Sequence, residues 1–356
     1  MQFGILFTSH PNTDTEPYPH RDVHARVTRE IVRADELGFD TAWIAEHHFS
    51  NQYGIMPDVF VYAGYLAALT QRIRIGTAVV TLPLANPLRV AENAAFVDIL
   101  SGGRFVLGLG SGYREYEFDG FGVPFDERRD IQEEALPLLL ELFHGKRTDH
   151  RGARFAFKVD GDYEIFPHAA QEPHPPIFLA GATERSIREA GKMGLGLLLS
   201  TWTPFETLAR QVQTYRAALE ETPAKLRANP ARGHVDVARW VYVAETDAKA
   251  RADSEAGILR HQAHFASGHT SGYLGTVASA GQGRDYDTLS RDIILHGSPA
   301  TVIAKIERLC ALTGAASLML HYPPWYGIDK TLRSLELFAS EVIPKFRTGE
   351  RVRRSA

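Results

Sequence analysis

Residues 32–49 read Val32-Arg33-Ala34-Asp35-Glu36-Leu37-Gly38-Phe39-Asp40-Thr41-Ala42-Trp43-Ile44-Ala45-Glu46-His47-His48-Phe49. Three signals follow one another here. Helical periodicity begins near residue 23 and runs to Leu37, where Gly38 stops it, because glycine takes the left-handed backbone that closes a helix. Residues 41–45 form a short apolar run of strand character. The run then ends on a polar cluster, Glu46-His47-His48. A helix, a tight turn and a buried strand with polar groups at its carboxyl end make one unit of parallel α/β architecture.

The unit repeats in both directions. Strand-like runs occupy 3–7, 41–45, 73–80, 104–109, 176–180, 195–199, 235–243 and 316–320. Helical periodicity fills the intervals, at roughly 23–37, 58–70, 87–100, 128–144, 184–193, 205–220, 247–266, 299–313 and 330–346. Gly102-Gly103 and Gly314 are further helix stops, and Ser298-Pro299 puts a capping residue before a proline at the first helical position. Strands alternating with helices predict a parallel sheet. No Gly-x-Gly-x-x-Gly follows the first strand, and the rhythm has no pause. The expectation is therefore a closed (β/α)8 barrel, the TIM-barrel class, rather than an open doubly wound sheet. It spans 1–346 as one domain, with insertions near 147–175 and 267–295 and a basic tail at 347–356. The first insertion is polar and proline-bearing, with Tyr163 and Phe166, and reads as a hairpin or long loop. The second is rich in Gly, Ser and Thr and reads as a lid or a disordered segment.

Composition narrows the class. A length of 356 residues suits one large barrel. The net charge of −4, with both signs mixed along the chain, gives no basic stripe for nucleic acid. Arg347 to Arg354 read as a solvated tail rather than a membrane patch. The single cysteine, Cys310, excludes an intrachain disulfide, and its helical setting suggests a small core residue. The first residues form a strand without the basic flank and apolar run of a signal peptide, and no apolar run approaches the ~20 residues of a membrane helix. A cytoplasmic protein is expected.

Barrel active sites are built where strands feed the loops at their carboxyl ends. At the second strand's end, His47 and His48 can act as base, acid or hydrogen-bond donor near neutral pH. Adjacent histidines diverge on a strand and no second ligand cluster accompanies them, so no metal is expected. On the third strand Gly76, Thr77 and Ala78 are small enough to admit a flat ligand, or merely to pack the barrel. After the fourth, Gly108-Leu109-Gly110-Ser111-Gly112-Tyr113 exposes amides and a hydroxyl, or makes a turn. Gly181-Ala182-Thr183 precedes a helix, as a phosphate seat or as a plain threonine cap. Trp202 ends the sixth strand, covering a ligand or packing at the rim.

These segments together resemble the bacterial luciferase-like flavin monooxygenase superfamily. The resemblance is carried by Gly38-Phe39-Asp40-Thr41-Ala42-Trp43 with Glu46-His47-His48-Phe49, by Ile75-Gly76-Thr77-Ala78-Val79-Val80, by Arg89-Val90-Ala91-Glu92 through Asp98 to Leu100-Ser101-Gly102-Gly103-Arg104-Phe105, and by Gly297-Ser298-Pro299. It implies a usually dimeric barrel that takes reduced FMN from a separate flavin reductase. O2 and a small organic substrate then react through a C4a-(hydro)peroxyflavin. It places His47 as the catalytic histidine with His48 beside it, and a cis peptide at Ala78–Val79 near the flavin ring. Ser111, Gly112 and Tyr113 follow as the loop after the fourth strand, Gly181, Ala182 and Thr183 as the phosphate segment, and Trp202 as the aromatic beside the ring. The light-emitting subunit has Cys-Arg where this chain has Gly110-Ser111, and Glu-Ser where it has Gly181-Ala182. Substrates other than long-chain aldehydes are therefore expected, with the phosphate held by amides and hydroxyls more than by an arginine. Two alternatives remain at this stage: the deazaflavin F420 as hydride carrier in the same pocket, and a non-catalytic flavin-binding partner subunit. Tyr18, Phe49, Tyr53, Met56, Tyr113 and Trp325 are candidates for a substrate pocket.

Overall fold

Short runs of mostly buried apolar residues form the barrel strands, and more exposed runs form a hairpin; in chain order the strands are β1 (Gln2–Phe7), β2 (Thr41–Ile44), β3 (Arg74–Thr77), β4 (Val80–Thr81), β5 (Phe105–Gly110), the hairpin strands β6 (Thr148–Arg151) and β7 (Ala156–Val159), β8 (Ile177–Ala180), β9 (Gly196–Leu199), β10 (Val235–Val243), β11 (Leu295–Gly297) and β12 (Ser317–His321). The structure is a computed structural model and describes residues 1–50, 53–143, 148–160, 163–266 and 283–347. Strands β1, β2, β3, β5, β8, β9, β10 and β12 pair in that order, every pair parallel. β12 returns to β1 and closes the ring. Parallel neighbours require long crossovers, and helices supply them around the barrel. The expected (β/α)8 barrel is the observed one.

The local signals hold in detail. Gly38 lies at φ 83°, its N–H returning to Ala34 and Asp35. Ser298 accepts from the Thr301 amide ahead of Pro299, and Gly314 closes that helix at φ 62°. Three short elements escape the periodicity: the helices Glu115–Phe121 and Tyr286–Asp292, and β11, which extends the sheet beside β10. The last helix is broken, because a wide turn over Phe338–Val342 precedes Pro344, which has no N–H to donate.

The 147–175 insertion carries the antiparallel β6–β7 hairpin. Of the second insertion, residues 267–282 lie outside the described residues. So do residues 348–356 of the expected tail. Arg347, its first member, is docked rather than solvated, donating to the Gly38 carbonyl at 3.0 Å and pairing with Asp40. Cys310 packs half-buried against the core. Among the described residues no helix is long and apolar enough to cross a membrane.

Inside the barrel Trp43 packs with Val106, Phe178, Leu198, Ala238 and Met319. Its indole takes the space left by glycines on both neighbouring strands. A Cβ on Gly76 would sit 2.4 Å from Trp43 Cε3, and one on Gly4 2.9 Å from its Nε1. Gly76 therefore serves barrel packing rather than ligand approach.

Candidate active site

β3 ends at Thr77, where the chain leaves the ladder. The Thr77 hydroxyl replaces the missing rungs, donating to the Gly108 carbonyl and accepting from its amide, each at 2.8 Å. The next peptide, Ala78–Val79, is cis. Ala78 N–H donates to the Ile44 carbonyl at 2.7 Å, tying this corner to the end of β2. The corner borders a cavity of about 660 Å³ at the carboxyl ends of the strands.

His47, Ala78, Val79, Ser111, Gly112, Tyr113, Gly181, Ala182 and Thr183 all line this cavity. His48 and Trp202 stand one layer back. Trp202 is buried against Trp240, with ring centroids 5.2 Å apart, and Trp240 is the indole that reaches the cavity wall. Among the pocket candidates Tyr53 and Tyr113 line it. Tyr18 and Phe49 point to solvent, and Met56 and Trp325 pack behind the wall.

His47 is held from three sides. Its backbone exchanges hydrogen bonds with Met56, N–H to O at 3.0 Å and O from N–H at 3.2 Å. Gly54 leaves room for the ring, since a Cβ there would lie 2.7 Å from His47 Cδ2. The Nδ1 atom faces Glu117 Oε1 at 3.1 Å, and the same oxygen accepts from the His48 amide at 3.0 Å. Burial pushes the His47 imidazole below the ordinary histidine range, the Arg114 charge adds to that, and the Glu117 bond opposes it. Burial pushes the Glu117 carboxyl up, but its His47 and His48 bonds and Arg114 outweigh that, so it stays below the usual carboxylate range. The pair is thus a neutral imidazole donating from Nδ1 to a carboxylate, which leaves Nε2 as the ring's acceptor. His48 turns away. Its Nε2 meets Glu46 Oε1 at 2.9 Å, and its ring packs on Phe121 at 4.8 Å.

At the other end of the cavity, the segment Gly181-Ala182-Thr183 opens the helix Glu184–Lys192. Its amides are already engaged: Ser186 Oγ accepts from Ala182 at 3.3 Å and Thr183 at 3.2 Å, and Thr183 Oγ1 accepts from Ser186. Positive charge comes instead from Arg128, Arg129 and Arg185, which line the same lobe. Arginines therefore stand beside the segment expected to hold a phosphate more by amides and hydroxyls than by an arginine. Arg185 is neutralised by Glu133 and Asp130. Arg128 lies 3.8 Å over the Phe125 ring with its Nε unpartnered, and buried Gln132 has an unpartnered Oε1. Among the described residues neither Arg128 nor Arg129 has an acidic partner. Burial drives the nearby Glu189 carboxyl up to about 7, against its Gln132 bond, so near neutral pH it carries only part of a negative charge.

The third region of the wall is formed by Leu6, Thr8, Trp240, Phe265, Met319 and His321. It contains no carboxylate or ammonium. Its one titratable ring, His321, is fully buried and held neutral by that burial, down to about 3.

Sequence reasoning missed Glu117, the arginine pair, Trp240 and His321. Glu117 lies 70 residues from His47 with no local pattern linking them. Arg128-Arg129 at a helix start reads as an ordinary solvated turn.

The family model for luciferase-like monooxygenases matches residues 1–316. The chain belongs to the luciferase-like monooxygenase family. It is accordingly an enzyme of the monooxygenase class. Limonene 1,2-monooxygenase from Rhodococcus erythropolis is 28% identical over 325 residues, covering 89% of this chain and 80% of that one. The alkanal monooxygenase alpha chain of Photorhabdus laumondii subsp. laumondii is 25% identical over 378 residues, covering 99% of each. An uncharacterized protein of Sinorhizobium fredii is 38% identical, but the match spans only 48% of each chain. Among solved structures, a monooxygenase from Streptomyces bottropensis superposes with a TM-score of 0.79 at 25% identity, covering 97% of this chain and 100% of that one. The oxygenating constituent of 3,6-diketocamphane monooxygenase from Pseudomonas putida, in complex with FMN, gives 0.79 at 22%, covering 97% and 98%. An F420-dependent secondary alcohol dehydrogenase gives 0.72 at 17%, covering 97% and 99%, which shows the fold alone.

Proposed function

We propose that this chain is the oxygenating component of a two-component monooxygenase, using reduced FMN from a separate flavin reductase, O2 and a small uncharged organic substrate. One observation carries the reading. A single cavity joins an arginine lobe to a slot of small residues that ends at His47. The residues fit FMN. Arg128, Arg129, Thr183 and Ser111 would hold the phosphate, and the unpartnered Gln132 Oε1 would accept from a hydroxyl of the cofactor. The corner Ala78–Val79 and the short side chain of Ala180 leave room for a flat ring. Gly110 in turn makes room for Val79, whose Cγ2 would lie 2.6 Å from a Cβ placed there.

FMN, when bound in reduced form, would supply the chemistry that activates O2. The protein's part is to bind, orient and exclude water. His47 Nε2 is the acceptor available to take or hold a proton at the inner end, while Glu117 fixes the other face of the ring. The Trp240, Phe265 and Met319 wall offers an apolar surface without charge, which selects a neutral substrate. Exposed Val61, Tyr65 and Leu69 form a stripe on the helix Val59–Leu69, and exposed Phe96, Ile99 and Leu100 lie on the helix Pro87–Leu100 packed beside it. A patch of this kind supports a homodimer.

The test is an anaerobic titration with reduced FMN and with reduced F420, followed by oxygen-dependent turnover of limonene and a bicyclic ketone. FMN should bind more tightly, and His47→Asn should lose ~10²-fold or more in turnover while keeping FMN affinity. Tighter F420 binding, or unchanged turnover in His47→Asn, overturns the reading.

A further inference from the structure

Behind the cavity wall lies a cation that the chemistry above leaves unused. Arg114 is 3% exposed and begins the helix Glu115–Phe121. Its Nη1 donates to the Tyr116 hydroxyl at 2.9 Å, while Nε and Nη2 have no partner. Its guanidinium lies 3.8 Å over the Tyr53 ring and 5.2 Å from the centre of the Tyr113 ring. No described carboxylate forms an ion pair with it. A guanidinium buried in this way, among three tyrosines and with no anion of its own, is costly to keep.

The tyrosines lead to His47. Tyr53 stands edge-on to the His47 ring at 4.9 Å, and Tyr113 does so at 6.0 Å. The same short segment delivers Glu117, whose amide donates to the Arg114 carbonyl at 3.0 Å and whose carboxylate holds His47 Nδ1. The charged and titratable groups facing His47 are therefore Glu117 and Arg114 from this segment, the phenols of Tyr53 and Tyr113, and His48 from its own strand end, with Glu46 behind His48.

We infer that Arg114 is a positioning residue of the His47 site: it fixes the charge of the Glu117–His47 pair through space and clamps Tyr53 against the imidazole by contact. It touches neither cavity nor substrate, so its effect passes through these neighbours. A carboxylate 3.1 Å away would by itself draw a proton onto His47. Burial opposes this most, and the buried cation adds to it while helping the His47 and His48 bonds keep Glu117 ionised, so the ring stays a neutral donor at Nδ1 and an acceptor at Nε2. The inference gains its functional meaning from the reading of His47 above, but its test does not depend on turnover.

The measurement is the histidine ring titration of the free protein, by NMR of a sample labelled at imidazole Cε1, with His47→Asn assigning the signal. In the unaltered protein His47 should titrate below ~6.5, the ordinary histidine value. R114Q, which removes the charge, should raise that midpoint by about 1 pH unit. R114K, which keeps the charge but loses the planar stacking, should leave the midpoint near its original place and shift the Tyr53 ring signals. A midpoint above ~6.5 in the unaltered protein overturns the inference without any variant. So does an R114Q midpoint equal to the original. If the midpoint shifts as expected but His47→Asn keeps full turnover, the catalytic reading of His47 fails and the role of Arg114 in setting its charge stands.

Discussion

Replacing Glu117 with Gln tests the heart of the site. One oxygen, Oε1, receives both the His47 Nδ1 hydrogen at 3.1 Å and the His48 amide at 3.0 Å. Glutamine can place its carbonyl oxygen in the same spot, so geometry is kept and charge is removed. A hydrogen bond to a charged group contributes ~1.5–3 kcal/mol, a neutral one ~0.5–1.5, so two bonds together lose about 2 kcal/mol. The sign with pH follows from the carboxyl. Its folded pKa lies below its unfolded value, so its stabilisation is present above the unfolded pKa and disappears as pH falls through the folded one. Urea unfolding should therefore show E117Q weaker by about 2 kcal/mol at pH 7, with the two proteins converging in acid, below the usual carboxylate range, as the native carboxyl gains its proton. The His47 midpoint should fall in the same variant, because the group that favours its protonated form is gone. Equal stability at pH 7, with an unmoved His47 signal, would refute the claim that this carboxylate is ionised and binds both groups.

Gly76→Ala should destabilise by at least ~1–3 kcal/mol in thermal or urea unfolding, because its methyl meets the Trp43 ring inside a closed barrel; a neutral result would mean that the indole has room to move. Combining R128Q with R129Q should weaken FMN binding ~10-fold or more while leaving riboflavin, which lacks the phosphate, unaffected in fluorescence titration. Equal losses for both ligands would place the phosphate elsewhere. Val61→Glu with Tyr65→Glu should convert a dimer to a monomer in light scattering, since each puts a charge into the exposed stripe. A dimer that survives both changes lies on another face.

The helix-stop glycines, the Ser298 cap and the short apolar runs are local facts. A left-handed residue or an unfilled amide is settled within a few positions of the chain, so the barrel's units and their order could be read directly. The short helix Glu115–Phe121 could not, because at seven residues it spans too few turns to show a periodic face. The polar end of β2 marked His47 as a site residue, for a buried strand rarely finishes on such a cluster. Its partner was invisible. Glu117 meets it only because β5 and β2 both discharge their loops at one end of the ring. Trp202 and Trp240 show the same limit in another form. All nine residues of β10 are buried, so no alternation tells which face points inward. Register against β9 and β12 sends Ala238 and Trp240 to the cavity and Arg239 behind it, and Trp202 is left to pack on the back of Trp240. The sequence by itself determined the units, their closure into a barrel and the strand end where chemistry would sit. Only the tertiary structure decided the charge of that histidine, the arginines of the outer lobe and the indole at the wall, because each depends on groups brought together across the ring rather than along the chain.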